Sequence, residues 1–364
     1  MGDSIAVGDL DGDGRDDIVI SAWGNGVHDG TASVFVNRGD GTFKSSQTFA
    51  TNVESQSVVV GDFSGDGRLD FAVVNGMSDL QLFVNLGNAV FASGKRLKAP
   101  ESVVVMTAAD FNRDGHADLA LTTPRQIGVL LGDGAGGFAD PLTFSTGSNA
   151  NSIAVDDFNR DGFPDLVVTN ADWEGTCPGT GLICTPTGLA AGTVNVLLNQ
   201  GDGTFAPQSA YAAGNGPESV TTGDFNGDGA ADIAATNSVD NTLSVFLNAG
   251  DGTFGPPVTY PNAGSGTSAL GEPFPGTGGG VATADFDGDG HVDIVVAHGS
   301  LQDGNGVILV LLNQGDGTFR DPLTFPTTGL LNAFAVTDFN GDGMPDLAAV
   351  MDGSTLGVFL SKCE

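Results

Sequence analysis

Seven short segments of this chain place oxygen-bearing side chains at positions 1, 3, 5 and 9 of a nonapeptide, with glycine at position 6. They are Asp9, Asp11, Asp13 and Asp17; Asp62, Ser64, Asp66 and Asp70; Asp110, Asn112, Asp114 and Asp118; Asp157, Asn159, Asp161 and Asp165; Asp224, Asn226, Asp228 and Asp232; Asp285, Asp287, Asp289 and Asp293; and Asp338, Asn340, Asp342 and Asp346. Hard oxygen donors crowded onto a tightly turning backbone suit Ca²⁺, which takes six to eight oxygens at roughly 2.3–2.6 Å. Glycine at position 6 accepts a positive φ that a Cβ would resist. The carbonyl at position 7 is the further ligand, supplied by Arg15, Arg68, His116, Phe163, Ala230, His291 and Met344. The expected cofactor is therefore calcium, up to seven ions, in a structural role. The last acid stands at position 9 instead of 12 and no helices flank the loop, which excludes an EF-hand. The sites are unequal: the Asp9 and Asp285 loops carry four aspartates, and Ser64 makes the Asp62 loop the expected weakest.

The loops recur at intervals of 47 to 67 residues, a spacing that points to propellers or solenoids. A short apolar run precedes each loop, as in Ser57–Val60, and another follows it, as in Asp165–Val168. A third, such as Leu243–Leu247, leads into a Gly-Asp-Gly-Thr-Phe turn and a more polar fourth segment. Such runs bounded by Gly, Asp and Asn read as strands, and no sustained helical periodicity appears. Four strands per unit and seven units predict an all-β, seven-bladed β-propeller with a calcium loop between strands 1 and 2 of every blade. One domain fills residues 1–364, with blades near 4–50, 51–99, 100–146, 147–212, 213–260, 275–326 and 327–364. The position-2 residues Leu10, Phe63, Phe111, Phe158, Phe225, Phe286 and Phe339 are expected between sheets. Blade 7 is expected to lack its outer strand, so that side-chain packing closes the ring and leaves an uncovered edge.

The wording Val-Gly-Asp-Phe-x-Gly-Asp-Gly-x-x-Asp…Val-Phe-Leu-Asn-x-Gly-Asp-Gly-Thr-Phe resembles the FG-GAP/VCBS-type repeat of bacterial extracellular proteins. It is also similar to the calcium-binding blades of integrin α-subunit propellers. The resemblance spans essentially the whole chain and implies a calcium-stabilised, secreted or cell-surface propeller. It implies no single activity, since such repeats serve adhesion receptors, lectins and domains attached to lyases and hydrolases.

Acids outnumber bases 45 to 12, for a formal charge of −33. Seven divalent ions would still leave about −19, which excludes nucleic acid and anionic membrane as partners. Cys177 and Cys184 share a Gly/Pro/Thr-rich insertion; a short disulfide suits an oxidising compartment, and two free thiols are the alternative. Cys363 is left over. No transmembrane stretch or signal peptide is visible, and Met1-Gly2 runs straight into the first strand, so the natural leader is expected to be missing from this sequence.

The calcium face is monotonous, whereas the opposite one is irregular. Insertions fall at Ser21–Thr31, Ala171–Gly192 and His298–Gly306 between strands 2 and 3, and at Pro261–Gly280 between blades. Variable loops on a rigid scaffold are where binding resides. Trp23, His28, Asp172, Trp173, Glu174, Glu272, Phe274, His298 and Asp303 lie in these loops and form the candidate ligand site. A tryptophan beside carboxylates is a sugar-stacking platform, or else packs beneath its own loop. His116 and His291 are expected to offer carbonyls to the metal and turn their rings to solvent. No nucleophile elbow, zinc-protease motif or phosphate loop is present. The reading is a binding or adhesion module for carbohydrate or an extracellular protein. The alternatives are a polysaccharide-active enzyme or its accessory domain, and a structural unit of a larger surface protein.

Overall fold

Runs such as Ile18-Val19-Ile20 carry no polar residue on either side of the strand, and a strand of that composition must bury both faces. A computed structural model describes residues 4–22, 30–51, 55–75, 79–100, 102–147, 149–171, 192–261, 280–300, 305–351 and 355–361. Trp23, His28, Asp172, Trp173, Glu174, Glu272, Phe274, Asp303 and the three cysteines lie outside the described residues.

The described chain is all strand and turn, and each blade is an antiparallel meander. Blade 1 is β1 (Ser4–Gly8), β2 (Asp17–Ala22), β3 (Thr31–Phe35) and β4 (Gln47–Ala50). Blade 2 is β5 (Ser55–Gly61), β6 (Asp70–Asn75), β7 (Asp79–Asn85) and β8 (Phe91–Lys98). Blade 3 is β9 (Met106–Ala109), β10 (Asp118–Thr122), β11 (Gln126–Leu130) and β12 (Leu142–Ser145). Blade 4 is β13 (Ala150–Asp156), β14 (Asp165–Asn170), β15 (Thr193–Leu197) and β16 (Ser209–Ala212). Blade 5 is β17 (Pro217–Gly223), β18 (Asp232–Asn237), β19 (Thr242–Phe246) and β20 (Val258–Pro261). Blade 6 is β21 (Gly280–Ala284), β22 (Asp293–Ser300), β23 (Asn305–Leu311) and β24 (Leu323–Thr327). Blade 7 has three strands among the described residues: β25 (Leu331–Thr337), β26 (Asp346–Met351) and β27 (Thr355–Phe359).

The inner strands touch in the cyclic order β1, β5, β9, β13, β17, β21, β25 and back to β1, so the ring is closed. Seven hydrophobic cores lie between successive blades instead of one at the centre. Each second strand feeds two of them. Val19 enters the core shared by blades 1 and 2, while Ile18 and Ile20 enter the one shared by blades 7 and 1. Six of the position-2 residues are buried as wedges between sheets, whereas Phe286 is only half-buried.

Polar clasps join the blades at fixed places. An asparagine at the end of the third strand or two residues beyond it donates its Nδ2–H to the position-2 carbonyl of the preceding blade: Asn85 to Leu10 (2.8 Å), Asn199 to Phe111 (2.8 Å), Asn248 to Phe158 (2.9 Å) and Asn313 to Phe225 (2.9 Å). Asn37 does the same to Phe339 O at 3.1 Å, which joins blade 1 to blade 7 across the ends of the sequence. Beside it Thr337 Oγ1–H donates to Asp16 at 2.6 Å, and the Phe43 and Phe339 rings meet edge-on at 5.7 Å. Gly132 and Ser361 replace the asparagine in blades 3 and 7. Nearer the axis, the hydroxyls of Ser4, Ser57, Ser152 and Ser219 accept amides from the next inner strand.

Because Asn37 Nδ2 also donates to Asp16 O, Asn37→Ala strands two carbonyls at the closing seam. The expected loss is about 2–4 kcal/mol in urea-induced unfolding. Asn248→Ala, which strands the same two carbonyls inside the ring, is expected to match it, as a closed ring with equivalent seams requires.

Candidate metal centres

The metal-type loop turns because its own carboxylates cap its amides. In the first loop Asp9 Oδ1 accepts the Gly12 and Asp13 amides at 2.7 and 3.1 Å, and Asp9 Oδ2 accepts that of Gly14 at 2.9 Å. Asp11 Oδ1 accepts Asp13 N–H, and Asp13 Oδ1 accepts Arg15 N–H. The same pattern recurs at Asp224, Asp285 and Asp338. Position 6 is glycine with φ between 81° and 88° in all seven loops. Position 4 is also left-handed, a requirement that five glycines meet and that Arg113 and Arg160 meet at φ 56° and 59°. These two arginines brace adjacent loops: the Arg113 guanidinium sits 4.6 Å from the Phe163 ring centroid, and Arg160 Nη2 donates to Asp228 Oδ1 at 3.1 Å.

In the two loops with four aspartates, oxygens of Asp9, Asp11 and Asp17, and of Asp285, Asp287 and Asp289, lie within 4.8 Å of one another. Clustered carboxylate oxygens with no competing nitrogen or sulfur form the donor set of a hard divalent cation. Asp11 of the first cluster also takes the Lys44 ammonium at 3.4 Å. The Asp62 loop departs from the rest. Position 3, Ser64, instead of position 2 donates its amide to Asp70 at 2.9 Å.

Position 9 differs from the other three. Asp17, Asp70, Asp118, Asp165, Asp232, Asp293 and Asp346 are buried, at 0 or 1 % exposure, at the head of the second strand. One oxygen accepts an amide of the loop and the other an amide at the end of the third strand. Asp232 takes Phe225 N–H at 2.9 Å and Asn248 N–H at 2.7 Å, and Asp165 takes Phe158 and Asn199 in the same way. Each is thus a staple between the two hairpins that share this face. Burial pushes Asp17, Asp118, Asp165 and Asp232 up to about 6 despite the amides, which pull the other way. The exposed acids of the Gly-Asp-Gly-Thr-Phe turns, Asp40, Asp202, Asp251 and Asp316, are held below the usual range by Thr hydroxyl and amide donors.

The position-7 side chains of Arg15, His116, Phe163 and His291 lie over the first glycine of the following turn. His291 is exposed and its ring crowds Gly315. His116, expected in solvent, is half-buried against Gly134 with Nδ1 out of water. His298, expected in a connecting loop, instead continues β22 opposite Val307. Desolvation holds its imidazole below the usual value, and its Nδ1 has no partner. Of the nine candidate ligand residues His298 alone is described, and the other eight lie outside the described residues.

A carboxyl that holds its proton more tightly when folded stabilises the fold fully below the unfolded value of 3.8 and loses that contribution as pH rises through about 6. In chelator, stability is therefore expected to fall between about pH 4 and about pH 6, as read by urea midpoints. Asp232→Asn turns an amide donor toward one of two N–H groups. In the same chelator it is expected to cost about 2–4 kcal/mol, whereas a role as metal ligand alone leaves stability unchanged there.

The profile of the FG-GAP-like repeat matches residues 9–73, 62–121, 110–168, 182–235, 225–296 and 285–349. No curated protein matches the chain. Among solved structures it is similar to an Agrocybe aegerita lectin that recognises non-reducing terminal N-acetylglucosamine, with a TM-score of 0.61 and 20% identity over 90% of this chain and 80% of that one. It is also similar to BBS1N in complex with ARL6DN, at 0.63 and 12% identity over 98% and 91%. The WD40 domain of Toxoplasma gondii coronin gives 0.60 and 10% identity over 100% and 81%. At these identities the likeness is one of fold, but the repeat matches run along nearly the whole chain, which therefore belongs to the FG-GAP-like repeat family.

Proposed function

We propose that the chain is an extracellular, calcium-stabilised binding module that takes a carbohydrate on the face opposite the metal-type loops. The carrying observation is the convergence of Asp9, Asp11 and Asp17 oxygens within 4.8 Å on loops that all emerge from one face. Ca²⁺ would be held there by positions 1, 3 and 5 with the position-7 carbonyl and the free lone pairs of position 9. It supplies positive charge to carboxylates that otherwise repel. Sites of this kind fill at the roughly 10⁻⁴–10⁻³ M calcium found outside cells.

With one face devoted to metal, the partner is left the 2–3 and 4–1 connections, where the long insertions fall. The N-acetylglucosamine lectin supports a sugar as that partner, because a similar wheel of blades serves sugar recognition there. A net charge of −33 argues against anionic glycans and favours neutral ones.

Chelation is expected to lower Tm by at least about 5 °C, and millimolar calcium to restore it, each site adding about 2.7 kcal/mol at hundredfold excess over its Kd. Asp285→Asn is expected to reduce the calcium stoichiometry seen by calorimetry. On a glycan array, Trp23→Ala or Trp173→Ala is expected to weaken binding at least about tenfold with little change in Tm. An array with no hit overturns the sugar reading and leaves the calcium reading standing.

A further inference from the structure

In every metal-type loop the position-5 carboxylate gives one oxygen to the position-7 amide, as Asp13 does to Arg15 N–H at 3.0 Å and Asp289 to His291 N–H at 2.9 Å. The loops part at its other oxygen. Where position 3 is asparagine, the Nδ2–H group is the donor: Asn112 to Asp114 at 3.0 Å, Asn159 to Asp161 at 2.9 Å, Asn226 to Asp228 at 2.9 Å and Asn340 to Asp342 at 3.1 Å. In the first two loops position 3 is Asp11 or Ser64, which has no such amide, and an arginine at position 7 serves instead. Arg15 Nη2 meets Asp13 Oδ2 at 3.2 Å, and Arg68 Nη2 meets Asp66 Oδ2. The first loop takes a second cation, because Lys44 Nζ meets Asp11 Oδ2 at 3.4 Å.

The Asp285 loop has neither device. Its position 3 is Asp287, which cannot donate, and its position 7 is His291, whose ring lies against Gly315. Arg320 stands where blade 1 has Lys44, one residue past the turn phenylalanine, yet makes no ion pair among the described residues. No described side chain donates to Asp287 or Asp289, and both are exposed. Their oxygens nevertheless lie within 4.8 Å of each other and of Asp285. The turn thus draws like charges together with no cation or amide of the chain between them.

We propose that the position-3 asparagine amides, Arg15, Arg68 and Lys44 are the chain's own substitutes for a bound cation, and that the Asp285 loop, which has none, takes calcium most tightly and is the turn that loosens when calcium is withdrawn. The inference rests on the calcium reading given above. In sequence the Asp9 and Asp285 loops are equals, each with four aspartates. The side chains around them make them unequal. A divalent ion in the first loop has to share Asp11 and Asp13 with two tethered cations, whereas the Asp285 loop offers its carboxylates uncompensated. Exposed ion pairs are weak, so the sites differ by several-fold in affinity and not by orders of magnitude. When empty, the other six turns keep a side-chain clasp on position 5, and the turn from β21 to β22 keeps only its backbone caps. The calcium dependence of the wheel is thereby concentrated in blade 6.

The test is hydrogen exchange of the 364-residue chain, resolved by peptide, first in chelator and then through a calcium titration. In chelator the 285–293 amides are expected to be the least protected of the seven loops. They are expected to gain protection at a calcium concentration at least about threefold below that needed by the 9–17 amides. Asp287→Asn supplies the amide donor that four other loops use. It is expected to raise protection of 285–293 in chelator about threefold and to move its calcium midpoint upward. Lys44→Met is expected to do the opposite at 9–17, lowering protection in chelator and bringing its calcium midpoint toward that of 285–293. Protection of the two loops at one calcium concentration, or a 285–293 segment that Asp287→Asn leaves unchanged, overturns the proposal while the calcium reading stands. If calcium up to about 10 mM changes exchange in none of the loops, the calcium reading falls and this inference falls with it.

Discussion

Each blade turns on one buried carboxylate. The position-9 aspartate sits where an apolar strand begins, out of water, with one oxygen on an amide of the loop and the other on an amide from the neighbouring hairpin. An ionised carboxylate in that place is costly unless its lone pairs are filled, and two amides fill only part of them. Desolvation with that deficit explains the raised pKa of Asp17, Asp118, Asp165 and Asp232, and the deficit is also why a cation beside the carboxylate would be stabilising. The aspartate therefore serves the fold in two ways. It stitches two hairpins together at every pH where the amides hold, and it presents charge that a divalent ion can neutralise.

The staples are local, so the ring needs separate devices to join one blade to the next. The asparagine clasps, the serine hydroxyls and the wedge residue at position 2 supply them, each acting only between neighbours. Stability in such an array is a sum over seams, and the seam between the first and last blades repeats the asparagine clasp and the wedge-to-turn ring contact of the others. Asn37, Phe43 and Phe339 repeat across a separation of 302 residues what Asn248, Phe254 and Phe158 do within the chain. Among the described residues the seam between blades 6 and 7 has neither the asparagine nor the turn ring, and Phe325 beside it is exposed.

Much of the fold was legible because the repeat writes the same physics seven times. Periodic loops, strand-length apolar runs and Gly-Asp-Gly turns suffice for a count of blades and for the order of strands within them. Position 9 was legible only as a ligand. Its second role needs the asparagine or its substitute at the end of the third strand, 14 to 34 residues away, a partnership that spacing does not reveal. The recurrence of Asn37, Asn85, Asn199, Asn248 and Asn313 before the turn was the available signal. His298 was misplaced because a lengthened hairpin and a lengthened loop look alike in sequence until cross-strand pairing with Val307 decides between them.

Residue order alone determined the loop chemistry, since which donors fall on a nonapeptide and where glycine permits a turn are properties of adjacent residues. It also determined the seven-fold repetition. Tertiary structure alone decided that the ring closes, that position 9 is buried, and that Phe286 is only half-buried where the other wedge residues are enclosed. Those are contacts between blades, and a short-range pattern carries no information about which distant surfaces will meet.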